Sequence, residues 1–171
     1  MSKRVILSLL LLLTMRGLAF AQTSLGITVI AAPVGAALSL NSYVWTIAFA
    51  NDGTTVYQND QQGTATVKSG TAKNFRIDFS SQNLGYVNQG TAQIPYSVKV
   101  TMISTNTGLV GTPAITAGYV QLTATQSISF NKKTPAAGIQ FYVGMLINPV
   151  AGEFYISGAY TDTVTITYTA T

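Results

Sequence analysis

Apolar and polar residues alternate along almost the whole chain beyond residue 24. Leu25, Ile27, Val29 and Ala31 share one face ahead of Pro33. Tyr43, Trp45, Ile47 and Phe49 share another ahead of the turn Asn51-Asp52-Gly53. Thr64 to Val67 is a short strand candidate. Phe75, Ile77 and Phe79 alternate with Arg76, Asp78 and Ser80. Ile94, Tyr96, Val98, Val100 and Met102 alternate with Ser97, Lys99 and Thr101. Leu122, Ala124, Ile128 and Phe130 make a broken face that stops at Asn131-Lys132-Lys133. Ile139, Phe141, Val143, Met145 and Ile147 precede Asn148-Pro149. Period-two alternation of β-branched and aromatic residues predicts strands, and Gly, Asn and Pro clusters predict the turns between them. Gln61-Gln62-Gly63 is one such turn signal, and Asp60 stands in turn-like sequence beside it. No stretch has a helical period long enough to matter. The expected class is an all-β sandwich or barrel. One-sided alternation further predicts antiparallel strands packed on one face.

The last row is the most regular. Tyr160, Val164, Ile166, Tyr168 and Ala170 stand on even positions, while every odd position from Thr161 to Thr171 is threonine. The sequence runs out in mid-strand. An uncovered strand edge invites pairing with another chain, and proteins normally blunt it.

The first 21 residues read differently. Met1 to Arg4 is a short basic start, Val5 to Thr14 is apolar and leucine-rich, and Ala19-Phe20-Ala21 is an A-x-A cleavage signal. This is the pattern of a secretory signal peptide cut before Gln22. The apolar run is shorter than the roughly 20 residues a membrane span needs. Arg16 falls late for a signal, so a retained anchor is the alternative. Removing the leader takes Lys3, Arg4 and Arg16 with it. Six of the nine basic residues then face five acidic ones, a net charge of +1. Nothing in that balance argues for nucleic acid, which needs a clustered basic surface. A mature chain of about 150 residues is one ordinary domain. It has no cysteine, so it must fold on packing alone.

The absence of histidine and cysteine removes the Ser-His-Asp and Cys-His nucleophile systems and the usual zinc, haem and iron–sulfur ligands. The acids are Asp52, Asp60, Asp78, Glu153 and Asp162, and no two are marked as a catalytic pair. No catalytic role, metal or cofactor is expected. Asn51-Asp52-Gly53 and Asn59-Asp60 read as turns rather than as calcium loops, whose ligand spacing they lack. Trp45 and the nine tyrosines are expected to serve as core and cross-strand partners, with a sugar-stacking platform as the alternative.

Taken together, the two ends suggest one hypothesis. The early strand carries small Gly26 and Thr28 opposite its apolar row, and the final strand has no later element to cover it. A sheet left open beside the last strand could be filled by the early strand of another copy, through β-strand addition.

"Ile94-Pro95-Tyr96-Ser97-Val98" mid-chain and "Gly158-Ala159-Tyr160-Thr161-Asp162-Thr163-Val164-Thr165-Ile166-Thr167" near the end resemble chaperone–usher pilin subunits. The closing motif is similar to the spore coat protein U domain. The cysteine-free chain and "Ile27-Thr28-Val29-Ile30" are similar to colonisation-factor-type pilins. The resemblance implies an immunoglobulin-like antiparallel β-sandwich, incomplete and completed by strand donation. It implies residues 1–21 as leader, 22–33 as a donor-strand extension and 34–171 as the sandwich. Leu25, Ile27, Val29 and Ala31 would be the donor side chains. Tyr160, Val164, Ile166 and Tyr168 would border the acceptor groove. The implied partners are other copies or related pilins, a periplasmic chaperone and an outer-membrane usher, with a surface fibre as destination. The alternative is a self-contained secreted β-sandwich in which residues 25–31 pair within their own chain. A carbohydrate-binding adhesin is a third reading.

Overall fold

The computed structural model describes residues 24–171, so the leader reading of residues 1–21 lies outside the described residues. Eleven strands and one helical turn follow one another. They are β1 (Ser24–Val34), β2 (Leu38–Leu40), β3 (Val44–Ala50), β4 (Tyr57–Val67), β5 (Phe75–Ser81), β6 (Tyr86–Gln89), β7 (Ala92–Pro95), β8 (Ser97–Met102), α1 (Ala114–Ala117), β9 (Gln126–Phe130), β10 (Ile139–Ile147) and β11 (Ala159–Ala170). The larger sheet runs β3-β1-β11-β5-β9, with β6 paired to β11 and β7 to β6. The smaller sheet runs β2-β4-β10-β8. The inward rows of both sheets join in one apolar core, making a β-sandwich.

Most strands stand where the alternation places them, because one apolar face per strand is what two stacked sheets require. Three differences stand out. The row from Ile94 to Met102 is split at Tyr96, whose N–H leaves the ladder to donate to the Gly85 carbonyl. The row from Leu122 is strand only from Gln126, although Leu122 is buried. Gln61-Gln62-Gly63 is no turn: β4 runs through it from Tyr57. The β4–β10 pairing shifts there, from Val143 opposite Gly63 to Met145 opposite Asn59. Asp60 therefore lies in this bulge. Gly63 itself must be small: a Cβ there would stand 2.8 Å from the Trp45 ring, which reaches across from β3.

Two expectations about strand pairing are overturned. β1 runs parallel to β11, with Gly26 opposite Ala159 and Val34 opposite Thr167. Antiparallel pairing holds for β1 with β3 and for β11 with β5. The final strand is also no uncovered edge, since β1 flanks it on one side and β5 on the other.

The sandwich has two ends. At one lie the start of β1 and the loops 51–56 and 148–158, which touch where Gly152 N–H donates to the Gly53 carbonyl. At the other lie the short β1–β2 connection and the loops 68–74, 103–111 and 131–138. These are tied by Lys68 N–H to the Ala37 carbonyl and by paired Ser69–Thr134 bonds.

Candidate functional site

The candidate donor side chains and the candidate groove strand sit side by side. Leu25, Ile27, Val29 and Ala31 are almost wholly buried, at 0–1% exposure. In register, Ile27 lies opposite Tyr160, Val29 opposite Asp162 and Ala31 opposite Val164. Tyr160, Val164 and Ile166 are buried, and Tyr168 is half-buried against the core. Opposite Ile27 on its other side is Ile47 of β3, and opposite Val29 is Trp45. β1 thus occupies the slot between β3 and β11 of its own chain. β3 has no other ladder partner, so β1 alone joins it to the sheet.

The forces holding β1 are simple. Its main chain is paired on both sides, and burying Leu25, Ile27 and Val29 contributes about 1.5–3 kcal/mol each. That sum rivals the whole stability of a typical domain, about 5–15 kcal/mol. Among the described residues, no side-chain hydrogen bond joins β1 to either neighbour, and it carries no aromatic ring. After Val34 the chain turns at once. Gly35 has φ +103, and its N–H to C=O turn closes when the Leu38 N–H donates to the Gly35 carbonyl. A Cβ at Gly35 would meet Tyr168 Cβ at 3.2 Å.

The other end of β11 holds a polar cluster. Asp162 falls on the inward row with Tyr160 and Val164 and is only 4% exposed. Its carboxylate accepts bonds from the Tyr96 hydroxyl (2.5 Å), the Ser81 hydroxyl (2.6 Å) and the Asn83 N–H (3.1 Å). Ser81 Oγ in turn accepts the Gly85 N–H at 2.7 Å. Burial pushes the Tyr96 phenol well above the usual tyrosine range, and the charge and hydrogen bond of Asp162 add to it. The cluster ties the 81–85 turn, which contains Leu84 at φ 56, to β11 and to the β7–β8 junction. One strand start further on, the Tyr160 hydroxyl donates back to the Ile156 carbonyl at 2.9 Å. Asp162 is a buried structural tie rather than one of the expected groove residues. Its signal was its place on the even, apolar row.

The remaining acids stand apart in different settings. Asp52 accepts the Thr54 and Thr55 N–H groups and the Thr55 hydroxyl, closing its own turn, and these bonds hold its carboxyl far below the usual range. Asp60 accepts the Tyr119 hydroxyl, which lowers its carboxyl, with Gln58 adding to the effect. Lys99 sits 5.8 Å from the Tyr119 ring centre. Asp78 pairs with Arg76 at 2.8 Å and accepts the Ser127 hydroxyl. Among the described residues, no three His, Cys, Asp or Glu side chains gather closely enough to hold a metal ion, and no helix is long and apolar enough to cross a membrane. No protein-family model matches the chain, and no curated protein is significantly similar to it.

Proposed function

We propose that this protein is a structural subunit of a surface fibre of the pilus type, and that β1 is the strand one copy hands to the next. The observation that carries the reading is the position of β1. It is the first described strand, it fills an interior slot between β3 and β11, and only ladder and apolar burial hold it there. Any strand with alternating side chains of like size could fill the same slot.

The strand order supports an immunoglobulin-like frame. In that template one sheet is A-B-E-D and the other places F between C and G. The smaller sheet, β2-β4-β10-β8, follows A-B-E-D in chain order. β5 and β11 then stand as C and F, and β1 takes the place of G. The Tyr160 bond back to Ile156 matches the tyrosine found at the start of strand F in that frame. A strand G joined to F by a hairpin runs antiparallel to it, whereas β1 runs parallel. The slot therefore holds a strand from elsewhere in the sequence. Delivery by a periplasmic chaperone and an outer-membrane usher completes the proposal.

A second reading rests on the short connection between Val34 and Leu38, which favours a self-contained secreted sandwich with β1 kept at home. Light scattering and unheated SDS gels separate the two. A chain beginning at Gln22 is expected to form SDS-resistant ladders, and a chain lacking residues 22–34 to form none while binding a synthetic 24–34 peptide. A purely monomeric Gln22 chain whose truncation fails to bind the peptide would rule for the self-contained sandwich.

A further inference from the structure

The charged residues of the described chain are sorted by position. Arg76 and Asp78 neutralise each other on the outer face of the larger sheet. Lys99 and Asp60 meet at Tyr119 on the smaller one, and Asp162 is buried in its cluster. The rest divide between the two ends. Asp52 and Glu153 lie in the touching loops at the β1-start end. Lys68, Lys73, Lys132 and Lys133 all lie exposed in the loops of the opposite end.

Shape divides the same way. The acidic end projects apolar side chains from its two loops. Val56, Val150, Phe154 and Ile156 are 48%, 55%, 62% and 60% exposed. Tyr155 between them is buried, and Asn51 anchors its backbone with two 2.9 Å bonds. Phe154 and Ile156 are thus held outward by a fixed neighbour. The basic end contains a recess of about 350 Å³ between residues 104–107 and 133–135. Thr107, Lys133, Thr134, Pro135 and Ile139 are among the residues that line it. A projecting apolar patch with an acid beside it at one end, and a recess with a lysine on it at the other, are complementary surfaces on one molecule. Such a pair makes a heterologous contact, which does not close on itself and so propagates.

We propose that the acidic end of one copy seats on the basic end of the next, with Phe154 entering the recess and Glu153 facing Lys133. The occupant is a second copy of this chain. The proposal deepens the fibre reading and rests on it for its biological setting, yet the contact is separate from strand exchange. It also sets the order in which copies meet. Handing β1 over in the direction it holds at home would bring its hinge end, the basic end, against another basic end. Four exposed lysines would then face four more, and like charges oppose that approach.

The chain has no cysteine, so single cysteines report contacts without interference. Glu153 and Lys133 are exposed, and their substitution leaves the fold alone. Asp52 is left in place because it closes its own turn. Equal amounts of Ala151→Cys and Ala136→Cys mature chains, exposed positions beside Glu153 and Lys133 that leave both charges in place, are mixed and oxidised at low salt. The mixed disulfide is expected to exceed either same-variant disulfide by about tenfold, and the excess to fall toward the statistical ratio near 1 M salt, where exposed charges are screened within about 3 Å. Glu153→Lys should abolish reversible association in light scattering, and mixing it with Lys133→Glu should restore it. A statistical ratio at low salt, or a dominant Ala136→Cys homodimer, overturns the end-to-end contact. SDS-resistant ladders alongside either of those results would leave strand exchange standing and sink only this proposal. Absence of ladders with a strong mixed disulfide would do the reverse.

Discussion

The two strands that flank β11 are held in different ways. β5 and β1 each contribute a fully buried apolar row, Phe75-Ile77-Phe79 on one side and Leu25-Ile27-Val29-Ala31 on the other. β5 is also keyed to its place. Phe75 stacks on Phe130 with ring centres 4.7 Å apart and leans on Tyr168, and Ser81 at its end bonds the Asp162 carboxylate. Each of those contacts names a particular partner. β1 has none of them: its hold comes from main-chain pairing and from the size of its side chains, both of which another strand can reproduce. A sandwich can therefore depend heavily on a strand for stability without specifying which copy supplies it.

The strongest way to break that contrast is to ruin each strand and offer a replacement. Ile27→Asp buries an unpaired charge and should cost about 4 kcal/mol or more. Ile77→Asp should cost as much. Excess 24–34 peptide should restore the melting temperature of the first, because the slot accepts any suitable strand, while a 75–81 peptide should do nothing for the second. Equal rescue of both, or of neither, would remove the distinction.

Asp162→Ala comes next, at about 2–4 kcal/mol by denaturant titration, since it strands the Tyr96 and Ser81 hydroxyls that donate to it. The 24–34 peptide should not repair it. Gly35→Val follows at about 2 kcal/mol, from a side chain forced into φ +103 against Tyr168. Because the strain acts on the hinge and not on the slot, it should raise the exchanged fraction on unheated SDS gels; an unchanged fraction would mean that the hinge has no part in exchange.

A pH ramp probes the keyed side through Tyr96, over a background from Tyr119, Tyr155 and Tyr160, whose phenols burial also raises. The folded state raises the Tyr96 phenol above its unfolded value near 10, so its contribution is complete below pH about 10 and is lost as the pH climbs past it. Thermal melts should decline above that point, and Tyr96→Phe should flatten the decline. The smallest effect belongs to the outer face of β1. Ile30→Thr, at a position 46% exposed, should change stability by less than about 0.5 kcal/mol.

Much of this was legible in the residues. Period two placed β1, β3, β5, β10 and β11, because a strand with one buried face writes its orientation into alternate letters. Direction and neighbour are not written there. The same alternation serves a parallel or an antiparallel partner, so the parallel pairing of β1 with β11 is not legible in it. The turn composition of Gln61-Gln62-Gly63 hides the full length of β4, while the real demand on Gly63 comes from Trp45, nearly twenty residues upstream. The role of Asp162 is illegible for a related reason: its partners Ser81, Asn83 and Tyr96 lie more than 60 residues upstream.

The pairing of β1 with β11 also has a consequence in time. Residues 24–34 emerge first among the described strands, and residues 159–170 emerge last. During synthesis the early strand has β3 as a partner within a few dozen residues, yet one flank must wait for nearly the whole domain. Joining such distant segments is slow, because a long loop is closed before any contact rewards it. Until then the strand is an open template, available to whatever reaches it first. The folding order of the molecule thus leaves an interval in which β1 can be claimed by a neighbour rather than by its own chain.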